Sequence, residues 1–198
     1  MEKIMKEFIL IRHGETDFNR KQKFMGRSDV PLNETGKKQA SNIKLLIQKE
    51  NISKIYSSDL LRCRETAEII EPDKIISYHK ELREMNFGIF EGLTYDDIKK
   101  DHQIEIHKWK NDSINYRIPG GESLSDMSDR VLNFFQKLVN EYKEKTIIIS
   151  HSGSIRIILA HYIVGNLEDS WKFFIDNSTI TRIGFDGNYA YLKSLNEK

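Results

Sequence analysis

The sequence predicts an α/β protein, a three-layer α/β/α sandwich built on a mostly parallel sheet. Three observations point there. Short apolar runs of strand length, "FILI" at 8–11 and "TIII" at 146–149, stand among longer segments whose apolar residues recur at helical spacing. The runs stop on side chains a buried strand does not need: Arg12 and His13 after the first, His151 after the other. In open α/β sheets the carboxyl ends of the strands form the ligand crevice, so these residues fall where such a sheet binds. Finally, 198 residues without a repeat, low-complexity tract or linker suit one core, giving a single domain over 1–198.

The elements follow in order. Residues 8–12 read as a buried strand closed by Gly14. The polar stretch 17–33, with Gly26 and Pro31, reads as loop. Ala40, Ile43, Leu46 and Ile47 give 35–50 a helical face, and 54–58 is a second short strand. Residues 60–70 are helical, with Pro72 ending them, and 75–78 is a third strand. The stretch 87–120 carries short helical patterns and no strong strand, so it reads as a small, mainly helical insertion. Beyond Gly120-Gly121-Glu122-Ser123 an amphipathic helix runs over 124–142, capped by Ser123 or Ser125. Residues 146–150 form a strand and 155–164 a helix. A terminal hairpin joins 179–185 to 189–195 around Asp186-Gly187, a favoured turn pair. Trp171-Lys172-Phe173-Phe174 reads as core by default.

Composition excludes several classes. A formal net charge of +1 lacks the basic footprint of a nucleic-acid binder, so anion binding must come from a local cluster. The single cysteine, Cys63, rules out an internal disulfide and a cysteine-rich zinc site, and fits a reducing compartment. No stretch approaches the roughly 20 apolar residues of a membrane span. Residues 1–8 are charged and the following apolar run is too short for a signal peptide. The expectation is a cytoplasmic protein, monomer or homodimer, with no nucleic-acid or membrane partner.

The candidate chemistry lies at the strand ends. Arg12, His13 and His151 are joined by Arg62, in the first turn of the helix after the second strand, and by Glu84, which follows the third. Arginine offers a planar fork of donors to phosphate oxygens. A neutral imidazole is a nucleophile near pH 7, and a carboxylic acid can protonate a leaving alcohol. These parts suffice for phosphoryl transfer through a phosphohistidine, with no metal or cofactor, if the cations neutralise the equatorial oxygens. Each residue alone has a plainer reading as a loop histidine, a helix ion pair or a surface carboxylate; convergence at one sheet end favours the chemistry.

Other nucleophiles fail on spacing. A cysteine phosphatase needs Arg six residues after Cys63, where Ile69 stands. Ser152 is flanked by Ser150 and Ser154 instead of the glycines of a serine-hydrolase elbow. Pro31 and Lys38 break a phosphate-binding loop around "TGKKQA". A metal held by His13, His151 and Glu84 would sit against two arginines that repel it.

The stretch "LIRHGETDFN" resembles the signature of the histidine phosphatase superfamily, which includes the cofactor-dependent phosphoglycerate mutases. The likeness continues in order through "GRSDVPLNETGKKQA", "YSSDLLRCRETA", "LREMNFGIFEG", "GGES" and "IISHSGSIR". The resemblance implies a phosphoglycerate mutase-like fold. It implies His13 as nucleophile, with Arg12, Arg62, His151 and Asn19 on the phosphate. Glu84 would be acid and then base, and Gly26 a loop glycine near the substrate. Met25 stands where many members carry a polar residue. The short span between Glu84 and "GGES" is similar to the phosphatase branch. "LREMNFGIFEGLTYDDI", Trp109 and "WKFFIDNSTITRIGF" resemble α-ribazole phosphatases of the cobalamin pathway. The alternatives left open are a broad-specificity phosphatase, a phosphoglycerate mutase and a non-catalytic phospho-ligand module. Trp109 and Tyr116 of the insertion either stack on a flat base or anchor the insertion.

Overall fold

The computed structural model describes residues 6–141 and 145–198. Strand β1 (Lys6–Arg12) leads through a one-turn helix α1 (Asp17–Arg20) to α2 (Glu34–Ile47). Then come β2 (Lys54–Ser58), α3 (Leu61–Ile70) and β3 (Ile76–His79). Helices α4 (Tyr95–Asp101) and α5 (Gln103–Asn111) precede the long α6 (Leu124–Glu141). β4 (Thr146–Ser150), α7 (Ser152–Leu159), β5 (Ile180–Asp186) and β6 (Tyr189–Glu197) complete the chain. Tyr142, the last residue of the expected 124–142 helix, lies outside the described residues, as do Met1 to Met5 of the charged segment 1–8.

The strands form one sheet in the order β3-β2-β4-β1-β5-β6. β3, β2, β4 and β1 run parallel, and β5 and β6 extend the sheet antiparallel. The sheet is covered on both faces because the central strands are apolar on both. Phe8 and Leu10 of β1 and Ile148 of β4 join the cluster formed with α6 and α7. Ile9, Ile11, Ile147 and Ile149 join the opposite cluster with Ile43 and Ile47 of α2 and Ala67 and Ile70 of α3. Each of these phenylalanine, leucine and isoleucine side chains, fully buried, contributes about 1.5–3 kcal/mol.

This layering places the site. β1 and β4 are parallel neighbours, with Arg12 opposite Ser150 at their ends. The helix after β1 packs on one face and the helix after β4 on the other. The two connections therefore part at the carboxyl ends and leave a crevice between them. His13 and His151 are the first residues past the two strands.

Several elements depart from the sequence reading. The loop expected over 17–33 begins with α1, closed by a capping box: Asn19 N–H donates to Thr16 Oγ1, and Asn19 Oδ1 accepts from Thr16 N–H. Asn33 caps α2 by accepting from Gly36 N–H, and that helix stops at Ile47, short of residue 50. Ser123, not Ser125, caps α6: its Oγ accepts from Asp126 N–H while Asp126 Oδ2 accepts from Ser123 N–H. α7 starts at Ser152, three residues ahead of the expected 155, and ends in one π-turn in which Gly165 N–H reaches Ala160 O. The hairpin turn is Gly187-Asn188, one residue beyond the expected pair, since Asp186 pairs with Tyr189. Of the run 171–174, Phe174 is 69% exposed and Trp171 45% exposed, so neither is core. Aromatic contacts with the insertion and α7 hold Trp171 instead. Among the described residues no helix is long and apolar enough to cross a membrane.

Candidate active site

His13 leaves β1 with its N–H on Ser150 O, at 3.0 Å, so the end of β4 fixes its backbone. Its Nδ1 lies 2.7 Å from Gly14 O. A carbonyl only accepts, so Nδ1 carries the proton and Nε2 keeps its lone pair. Arg62 Nε, which only donates, points at that lone pair from 3.3 Å. The remaining Arg62 nitrogens are tied down as well, Nη1 to Ser28 O at 2.9 Å and Nη2 to Gly26 O at 2.8 Å. Arg62 is fully buried.

Gly26 thus serves Arg62 through its carbonyl, and it is not among the residues lining the cavity described below. A Cβ on Gly26 would stand 1.8 Å from Met85 O, so the 26–28 loop presses directly on the Glu84 loop. Glu91 locks the loop there, accepting from the N–H groups of Gly26, Arg27 and Ser28 at 3.0, 2.8 and 3.1 Å. Met25 is buried, its Sδ 3.4 Å from Thr16 Oγ1.

His151 stands beside His13 with ring centroids 5.1 Å apart. Its Nε2 is 2.9 Å from Ser58 Oγ at the end of β2. Cys63 Sγ lies 3.5 Å from the same nitrogen, and burial pushes its thiol up to about 12, so it packs as a neutral side chain. Glu84 lies against the start of α7. Its Oε2 accepts from Gly153 N–H at 3.0 Å, at the start of α7, and its Oε1 from Met85 N–H at 2.9 Å. A side chain at position 153 would drive a Cβ to 2.1 Å from Glu84 Oε1, so the approach of carboxylate to helix requires glycine there. Arg130 holds the Glu84 loop from behind, donating to the carbonyls of Glu81, Arg83 and Glu84 and to the Glu122 carboxylate.

Arg12 donates Nη1 to Ile175 O, and burial lowers its guanidinium to about 10, where it stays charged at neutral pH. Arg12, His13, Asn19, Glu84 and Gly153 line one end of a cavity of about 410 Å³. The outer end is walled by Phe24, Phe87, Trp109 and Trp171. Trp109 meets Phe24 at 5.9 Å and Trp171 at 6.2 Å between ring centroids. Of the two insertion aromatics, Trp109 lines the cavity, whereas Tyr116 packs against the core beneath it.

The arrangement thus gathers Arg12, His13, Asn19 and Glu84 on the cavity, with Arg62 and His151 packed against His13 and outside the cavity lining. Sequence reasoning did not single out Arg156, which lines the cavity with a buried, unpartnered Nε and lies 5.7 Å from the Trp171 ring centroid. The signal was its spacing, since four residues past Ser152 on a helix is the same face. Nor did it single out Glu91 and Arg130, whose partners are remote in sequence. Among the described residues no group of three or more His, Cys, Asp and Glu side chains is placed to hold a metal ion.

The electrostatics make the histidines sensitive to acid when the protein unfolds. Burial, and then the charge of Arg62, holds both His13 and His151 well below the ordinary 6.5. In the unfolded chain each returns to that value and binds a proton the native state refuses. The native state therefore holds its advantage above the unfolded value and loses it as pH falls. The loss is about 1 kcal/mol for each histidine between pH 6.5 and 5.5 and approaches about 1.4 kcal/mol per pH unit below that. Urea titrations from about pH 6.5 to 5.5 are expected to show this decline, with close to half the slope in His151→Gln. An unchanged slope in that variant would remove His151 as a contributor.

Comparison with known proteins places the chain. The family pattern described as "Histidine phosphatase superfamily (branch 1)" matches residues 8–198. Phosphoserine phosphatase 1 of Hydrogenobacter thermophilus is 28% identical over 195 residues, covering 97% of this chain and 92% of that protein. The crystal structure of the α-ribazole phosphatase from Shigella flexneri superposes with a TM-score of 0.90 at 29% identity, covering 96% of each chain. Phosphoserine phosphatase from Entamoeba histolytica, in complex with 3-phosphoglyceric acid, superposes with a TM-score of 0.87 at 27% identity, covering 98% of each.

Proposed function

This chain belongs to the histidine phosphatase superfamily, and from that premise we propose that it is a phosphomonoesterase working through a phosphohistidine on His13. One observation carries the reading: the His13 Nδ1 proton is committed to Gly14 O, so Nε2 is the nitrogen left to attack, its lone pair oriented by the Arg62 Nε–H that must release it to phosphorus. Nε2 attacks phosphorus and the ester P–O bond breaks. Arg12, Arg62, Asn19 and His151 hold the phosphoryl oxygens as charge shifts among them. Glu84 gives its proton to the leaving alkoxide. It then takes one from the water that attacks phosphorus, and the N–P bond breaks to restore neutral His13. The depressed His13 pKa keeps the imidazole in its reactive form at neutral pH. The reading requires no metal or cofactor and treats 1–198 as a single domain acting in the cytoplasm on a small phosphorylated molecule.

For the substrate we propose α-ribazole 5′-phosphate, hydrolysed to α-ribazole. The aromatic outer wall, in which Trp109 touches Phe24 and Trp171, is apolar surface that suits a flat base. The likeness to the Shigella flexneri enzyme supports the same choice. A second reading rests on Arg156, whose unpartnered Nε suits the carboxylate of phosphoserine or 3-phosphoglycerate. The test is kcat/KM for these three and p-nitrophenyl phosphate, measured with a chelator present. We expect α-ribazole phosphate to lead by at least about tenfold, a gap of 1.4 kcal/mol in transition-state binding. A lead by either carboxylated ester transfers the assignment to the second reading, and loss of turnover with chelator overturns the metal-free route.

A further inference from the structure

We infer that Asn177, in the turn before β5, is the residue that orients Asn19 toward the phosphoryl group; this rests on the phosphate-binding role proposed for Asn19. Asn177 Nδ2 lies 3.2 Å from His13 O, 3.5 Å from Gly14 O and 3.2 Å from Asn19 Oδ1. The first two are carbonyls and only accept, so the amino end of the Asn177 amide is fixed there. The same logic fixes Asn19. Its Oδ1 faces the Thr16 backbone N–H at 3.1 Å, which only donates, and takes the Asn177 amino group as well. Reversing the Asn19 amide would set its NH2 against both donors. Its Nδ2 group is therefore committed to the other side, where Asn19 lines the cavity beside Arg12 and His13.

The neighbouring backbone makes this turn a rigid base. Ser178 takes φ +47°, and its N–H reaches Arg12 O and His13 O, each at 3.1 Å. Arg12 N–H in turn donates to Thr179 O at 3.3 Å. Asn177 thus belongs to a clamp that registers the end of β1 against the turn before β5. One amide spans from the nucleophile's own carbonyl to the side chain proposed to share its phosphate. It touches neither substrate nor reacting atoms in this scheme and acts as a positioning residue.

The experiment is a double-mutant cycle read on inorganic phosphate affinity. Asn177→Leu keeps the volume and removes the donor without adding charge. It is expected to weaken phosphate binding about fivefold in the wild-type background and less than about twofold in Asn19→Ala, since the coupling runs through Asn19. Asn177→Ala, in the same cycle, gives the same pattern if the leucine does not pack. A merely structural role would weaken binding equally in both backgrounds, and that result, or no loss in either, overturns the inference. Because phosphate binding is measured directly, the coupling is tested separately from the phosphohistidine. A turnover-competent His13→Ala enzyme with a coupled 19–177 pair would remove the chemistry and leave the positioning intact.

Discussion

Replacing His13 with alanine is expected to abolish turnover, with a loss on the order of 10⁴-fold or more, as for removal of other covalent nucleophiles. The geometry explains why no neighbour substitutes. His151 stands beside His13, its ring centroid 5.1 Å away, but its Nε2 is engaged with Ser58 Oγ. Cys63 is held as a neutral thiol by burial, so it supplies no thiolate. Arg12, Arg62 and Asn19 remain in the variant, so inorganic phosphate should still bind. Rapid quenching of the wild-type enzyme with substrate, followed by mass spectrometry under non-acidic conditions, should find the phosphoryl group on His13. Unchanged turnover in His13→Ala would end the phosphohistidine mechanism. Phosphate binding without turnover in the wild-type protein would favour the non-catalytic module.

The strands and the site were legible for the same reason. β1 and β4 are buried on both faces, so each reads as an unbroken apolar run, and its end is marked by the first charged or ionisable side chain. Arg12, His13 and His151 announce themselves by interrupting those runs. Helix α1 was hidden because four residues are too few to show a period, although Thr16 and Asn19 stand at capping-box spacing. The start of α7 was hidden because Ser152, Gly153 and Ser154 are weak helix formers, and tertiary contact with Glu84 overrides that weakness. Asn177, Glu91 and Arg130 act through polar contacts to residues far away in the chain. Nothing in their local sequence separates them from surface polar residues. Trp171 was misread because hydrophobicity alone does not distinguish a cavity wall from core.

Replacing Glu84 with glutamine is expected to separate the two halves of the reaction. Glutamine keeps the shape, although its single carbonyl oxygen can accept from only one of the Gly153 and Met85 N–H groups, which meet different carboxylate oxygens at 3.0 and 2.9 Å. What it loses is the transferable proton. An alkyl ester such as α-ribazole phosphate or phosphoserine leaves as a strongly basic alkoxide, so kcat/KM should fall by about 10²–10⁴-fold. p-Nitrophenyl phosphate leaves as a stable phenolate that needs no acid, so its first half-reaction should be nearly spared. Water attack on the phosphohistidine still needs a base, and glutamine is none. The variant should therefore release a rapid burst of nitrophenolate equal to the enzyme present, then turn over slowly while phosphorylated His13 accumulates. Rapid-mixing absorbance measures the burst and quenched mass spectrometry the intermediate. Equal losses on alkyl and nitrophenyl esters would show that Glu84 acts on phosphate binding alone, because a proton donor must matter more as the leaving group becomes more basic.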